Sequence, residues 1–175
     1  MNDLVQETDV MRHYLKCELG KSLRDWQQSE DFVRSFNETI ERLCDDDTNR
    51  LALMLSRDYR RNPLANRWGK HLNWRINVVP SSQLLMSEIN QKVRPTLLSC
   101  GYRLAEFVQH MRGKGAADSN LAEFRDDSRR IWYRQIIGEQ AGNMTQILDG
   151  SHRAVILALR GDSELSCYVA TGRVP

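Results

Sequence analysis

The spacing of apolar residues changes character at Trp68-Gly69, and that change constrains the fold more than any other feature of the chain. Before it, apolar residues recur every three or four positions, the period of a helix face. Val10, Met11, Tyr14 and Leu15 precede a stop at Gly20. Ser29, followed by Glu30 and Asp31, predicts a capped helix with Phe32, Phe36, Ile40 and Leu43 along one side. Cys44-Asp45-Asp46-Asp47 ends it, and Asp47 or Thr48 caps a third helix in which Leu51, Met54 and Leu55 form the apolar face. Asn62-Pro63 breaks that helix.

After Gly69 the period alternates. Trp74, Ile76 and Val78 interleave with Arg75 and Asn77, which predicts a strand closed by Val79-Pro80. Ser81 or Ser82 caps a helix from Gln83, and Pro95 opens a further one that stops at Gly101. Tyr102 to Met111 predicts a helix with Leu104, Phe107, Val108 and Met111 inward, followed by a flexible loop from Gly113 to Asn120. Ile131 to Ile137 and Met144 to Leu148 read as strands either side of an Ala141-Gly142-Asn143 turn. A helix from His152 to Arg160, a stop at Gly161 and a short strand from Leu165 to Ala170 complete the chain. The fold class expected is α+β: a helical region over 1–70, then a small domain over 71–175.

Composition excludes several classes. With 25 Lys plus Arg against 23 Asp plus Glu, the 175-residue chain carries a net charge of +2, which weakens the case for a phosphate-tracking surface. The densest basic cluster, Arg57, Arg60, Arg61, Arg67 and Lys70, keeps DNA as a disfavoured alternative. No apolar run approaches the ~20 residues that span a bilayer, and Met1-Asn2-Asp3 opens no secretory signal, so the expectation is a cytoplasmic protein without a membrane partner. Cys17, Cys44, Cys100 and Cys167 form no C-x-x-C pair and read as free buried thiols. His13, His71, His110 and His152 show no i, i+4 pairing for a helical metal site.

One segment carries chemistry: Ile147-Leu148-Asp149-Gly150-Ser151-His152-Arg153-Ala154. It reads as a strand ending in a glycine turn that enters a helix start. Such a start offers backbone N–H groups and the positive end of the helix dipole, which favour a phosphate. Gly150 permits close backbone approach, Ser151 can cap the helix or bind a phosphate oxygen, and His152 and Arg153 add donors. Asp149, at the strand's carboxyl end, suits a proton acceptor or a metal ligand. By spacing alone the same residues fit an ordinary Asp-Gly turn with a serine cap and solvent-facing His-Arg.

That segment, with the apolar helix, Gly161 and the strand Leu165-Ser166-Cys167-Tyr168-Val169 behind it, resembles the ParB/sulfiredoxin superfamily over roughly residues 72–172. There a strand leads into Gly-x-His-Arg or Gly-Glu-Arg-Arg, then a helix, a glycine and a short strand. The resemblance implies a small mixed-sheet nucleotide-binding domain with Gly150, Ser151, His152 and Arg153 on the phosphates. Ser151 stands where sulfiredoxins carry their catalytic cysteine, so sulfinic-acid reduction is not expected. The partition proteins continue into a DNA-binding helical domain, and this chain ends at Pro175, so partition is not expected either. Asp149 fits the Asp-Gly-x-His-Arg variant of kinase-like members. The free serine kinases of the superfamily use a glutamate near the first strand, for which Glu88 is the nearest candidate.

The function expected is therefore nucleotide-dependent phosphotransfer to a small molecule, or nucleotide hydrolysis. ATP or another nucleotide, with Mg²⁺, would be the cofactor, and Asp149, His152 and Glu88 the catalytic candidates. The alternative is a non-catalytic nucleotide-sensing module that binds a protein through the N-terminal helices, or DNA.

Overall fold

A computed structural model describes residues 4–22, 29–58, 63–70, 72–87, 91–113, 119–124 and 133–173. In chain order the elements are β1 (Leu4–Val5), α1 (Glu7–Ser22), α2 (Glu30–Glu41), α3 (Asp45–Asp58), β2 (Leu72–Pro80), β3 (Leu84–Leu85), α4 (Arg94–Ser99), α5 (Leu104–Arg112), β4 (Ile136–Ala141), β5 (Met144–Asp149), α6 (Ser151–Leu159) and β6 (Glu164–Arg173). The protein is mixed α and β, with six α-helices and a six-stranded mixed sheet among the described residues. Two compact units divide the chain, one built on Val5–Trp74 and the other on Arg75–Gly172.

In the first unit, Val10, Met11, Tyr14 and Leu15 of α1 are all buried, as their spacing requires. Ser29 caps α2, its hydroxyl accepting from the Phe32 N–H at 3.3 Å. Arg12 donates to Asp9, to Asp45 and to the Leu43 carbonyl, tying α1 to the turn between α2 and α3. Tyr14, Trp68 and Trp74 form an aromatic chain with ring centroids 6.0 Å apart at each step. Trp26 and Trp132 lie outside the described residues.

Helix α1 runs on through Gly20 to Ser22, so the stop expected there is corrected, and three further expectations are corrected with it. Helix α3 starts at Asp45, because the Thr48 N–H already donates to the Cys44 carbonyl at 2.9 Å. The aspartates thus fill its first turn, where the helix dipole favours them. Phe32 is 46% exposed and Met54 52%, so two members of the apolar stripes do not pack inward; Ala52 and Ser56 are the buried residues of α3 near Met54. Cys44 is exposed and Cys100 half-buried, which leaves only Cys17 and Cys167 as buried thiols.

The sheet order is β1-β2-β6-β4-β5-β3. Strand β4 runs antiparallel to β5 and parallel to β6, and β3 runs parallel to β5. The β4–β5 hairpin turns through Gly142-Asn143, with Gly142 at φ +63° in the first central position, where a tight hairpin needs a left-handed residue. Helices α4, α5 and α6 and the 3₁₀ turn Ser119–Phe124 share one core with Val79, Ile136, Ile147, Leu165, Cys167 and Val169 of the strands. All four α5 residues expected inward are buried.

The strands differ from expectation in three places. Strand β2 forms, but Ile76 and Val78 are exposed while Val79, on the other parity, enters the core. Period 2 gives a strand two faces without saying which one the core will cover. Ser81–Gln83 is a 3₁₀ turn leading into β3, not a helix start, because Leu84 and Leu85 pair with Thr145 and Gln146. Strand β4 begins at Ile136, so Tyr133 and Arg134, expected within the strand, precede it. Of the expected loop Gly113–Asn120, residues 114–118 fall outside the described residues, and Ser119 and Asn120 open the 3₁₀ turn Ser119–Phe124.

The buried Cys167 thiol yields a testable pH effect. Burial pushes its pKa from 9.0 up to about 12. The unfolded thiol ionises from about pH 9 and the folded one does not. The stabilisation is complete below pH 9 and is lost as pH rises toward 12, at about 1.4 kcal/mol per pH unit. Urea unfolding from pH 8 to 11 should show this slope in wild type and a shallower one in Cys167→Ala. An aromatic disulfide reagent should label Cys44 in the native protein and Cys167 only after unfolding.

Candidate functional site

Strand direction gathers the site. Because β3 and β5 are parallel, both deliver their carboxyl ends to the same edge of the sheet: Ser87 just beyond β3, and Asp149-Gly150-Ser151 at the end of β5. Antiparallel β4 brings its start there too, with Ile137 opposite Asp149. The crevice outside the carboxyl ends of strands is where open sheets hold ligands.

The register between β4 and β5 shifts at this point. Ile137 pairs with Asp149 and Gly138 with Ile147, leaving Leu148 as one extra residue on β5. Such a bulge bends the strand and re-aims the residues beyond it. Gly150 then takes φ +93° and ψ 17°, a left-handed conformation that an L side chain resists, and its carbonyl accepts the first bond of α6 from Ala154 at 2.8 Å.

No side chain caps α6. Gly150 occupies the cap position, and Ser151 lies inside the first turn, so the reading of Ser151 as a helix cap is corrected. Its hydroxyl, buried with the residue, turns instead to Ser87. It accepts from the Ser87 N–H at 3.1 Å and meets the Ser87 hydroxyl at 3.0 Å. Six of the nine α6 residues are buried, which holds the helix axis and its positive end in place.

Arg153 reaches back over the turn. Its Nη2 lies 3.0 Å from Asp149 Oδ2, and its Nη1 donates to the Tyr133 carbonyl at 3.4 Å. The two charged side chains are only 13% and 14% exposed, so each depends on the other for compensation. A Cβ added to Gly150 would come within 3.0 Å of Arg153 Nη2 and 3.2 Å of Ile136 Cδ1, so the missing side chain is what makes room for the guanidinium. His152 lies on the same turn but packs its ring on Phe124, centroids 4.5 Å apart, and Phe124 meets Phe107 edge-on at 5.6 Å.

The structure thus brings Asp149, Gly150, Ser151 and Arg153 into one cluster and sets His152 against an aromatic wall. Glu88 lies outside the described residues; it is the next residue after Ser87 in the chain. Among the described residues no group of three His, Cys, Asp or Glu side chains could hold a metal ion, and no helix is long and apolar enough to cross a membrane. Sequence reasoning missed Ser87 and Phe124, and it took Tyr133 for a strand residue near the site, where its carbonyl is what meets Arg153. Ser87 is 64 positions from its partner, and only the pairing of a two-residue strand joins them. No family model, curated protein or solved structure matches this chain.

Proposed function

We propose that the second unit is a ParB/sulfiredoxin-like nucleotide-binding domain that holds phosphate at Gly150–Arg153. It would transfer a phosphoryl group between a nucleotide and a small molecule, or hydrolyse the nucleotide. The observation that carries this reading is the uncapped start of α6, with a guanidinium folded over the left-handed glycine that precedes it. An uncapped start joined to an arginine is suited to an anion by dipole, by backbone donors and by charge.

The Asp149–Arg153 pair supplies the working step. A phosphate offers Arg153 a two-pronged acceptor that competes with Asp149. As the guanidinium turns to phosphate, the Asp149 carboxylate loses its partner beside the reacting group, where it can take a proton from a substrate hydroxyl. Positioning and charge neutralisation do most of the work in phosphoryl transfer, and both fall to Arg153 and the helix start. Mg²⁺ would enter with the phosphates, most of its ligands being phosphate oxygens and water. Glu88 is the second candidate base, on the strength of its place next to Ser87.

A second reading, a nucleotide-sensing module without turnover, is favoured by one observation. In the resting protein Asp149 is engaged by Arg153, and His152 by Phe124. A partner would then bind through the N-terminal helices. One screen separates the readings: thermal unfolding with ATP, ADP, CTP or GTP plus Mg²⁺, then product analysis. A nucleotide at 100 times its Kd should add about 2.7 kcal/mol of stability. Stabilisation with product supports the enzyme, and stabilisation without product supports the sensor. No stabilisation by any of the four overturns both.

A further inference from the structure

We infer that Ser87 is a phosphate-contacting residue, the contribution of a second strand to the site; this rests on the nucleotide reading above. The inference comes from counting hydrogens. Besides the Ser151 N–H at the helix start, Ser87 and Ser151 hold three donor hydrogens between them: the Ser87 N–H and two hydroxyl protons. The Ser87 N–H goes to Ser151 Oγ, and the 3.0 Å contact between the hydroxyls uses one more. One hydroxyl proton is left over, and among the described residues nothing accepts it. Ser151 is only 7% exposed, and Ser87 is half-buried. With Ser151 donating to Ser87, the left-over proton sits on the partly exposed Ser87, where it can meet an acceptor from outside the chain.

The pair stands where the carboxyl ends of β3 and β5 converge, and its Ser151 member is one residue from the left-handed glycine and two from Arg153 along the chain. A pair of hydroxyls can turn either proton outward, so it adapts to the acceptor. What it lacks is any capacity to repel an anion, and its neighbour Arg153 attracts one. A phosphate oxygen is therefore the group that the pair suits. In this arrangement Ser151 orients Ser87, and Ser87, the more exposed of the two, presents the proton.

The segment bearing Ser87 is also braced. The Met86 N–H donates to the Tyr102 carbonyl at 2.7 Å, and Leu85 bridges to Arg103. Gly101 and Tyr102 both have positive φ, at +56° and +58°. A tyrosine in that region is strained, and the fold retains it at the turn that positions Met86-Ser87.

The test uses the full chain with pyrophosphate, a probe that carries no base, and the tightest of the four nucleotides with its parent nucleoside. Calorimetric titration should show Ser87→Ala weakening pyrophosphate and nucleotide by on the order of tenfold, with nucleoside affinity unchanged. The variant keeps the backbone N–H bond to Ser151, so its melting temperature should stay close to wild type, and Ser87→Thr should restore binding. If Ser87→Ala binds pyrophosphate as wild type does while Arg153→Ala does not, Ser87 has no phosphate role and the nucleotide reading survives. If Ser87→Ala loses pyrophosphate and nucleoside by the same factor, its role is structural and the inference falls. If wild type binds neither pyrophosphate nor any nucleotide, the functional reading itself is wrong.

Discussion

Arg153→Ala should weaken nucleotide binding by about 100-fold and lower stability by about 3 kcal/mol, because the arginine serves both the ligand and Asp149. The two effects separate in a double-mutant cycle. Asp149→Ala alone leaves Arg153 without its 3.0 Å partner but still available to phosphate. The double variant removes both charges, so much of the stability lost in Arg153→Ala should return while binding stays weak. Asp149→Asn sharpens the distinction: with less competition for Arg153, nucleotide should bind as tightly as in wild type or more so, and turnover should be lost. Chemical denaturation and calorimetry read the two axes independently. A double variant that bound nucleotide like wild type would remove Arg153 from the site.

Gly150→Ala is the second large expectation. Its φ of +93° strains any L side chain, and the added Cβ would press on the Arg153 guanidinium at 3.0 Å and on Ile136. A left-handed non-glycine residue costs about 1–2 kcal/mol, and moving a nearly buried ion pair adds to that, so a loss of about 2–3 kcal/mol is expected. Gly142 is the control. It also has positive φ, at +63°, but an added Cβ there meets nothing within 4 Å, so Gly142→Ala should incur the backbone strain alone. If urea midpoints fall equally for both, the guanidinium does not need the space that Gly150 leaves.

How far the sequence shows all this depends on the range of each signal. Ser29, Pro95 and Gly161 act within a turn of their own position, and the elements that they bound appear where spacing places them. The α5 stripe, which meets a core on one side, is legible in full. The α2 and α3 stripes are not, because Phe32 and Met54 satisfy helical spacing without packing inward. Strand β3 has two residues and exists through pairing with β5, so it leaves no period to read. At the site, Gly150 and Arg153 announce themselves through a local strand-turn-helix pattern. The Asp149–Arg153 ion pair, the Leu148 bulge and the Ser87–Ser151 bond do not, since each depends on register or on a rotamer.

The shortness of β3 has a consequence for motion. On one side of the site β3 is held by two ladder residues, the Met86–Tyr102 and Ser87–Ser151 bonds and the Leu85–Arg103 bridge, while the other side is rooted in the buried helix α6. Few amide contacts hold that side, so its amides open more readily than those in the middle of α6, although a full opening would also draw Leu84 and Met86 out of the core. Deuterium uptake at Leu84–Ser87 should thus run ahead of Val155–Leu157. The gap between the two would measure how easily a ligand can be let in.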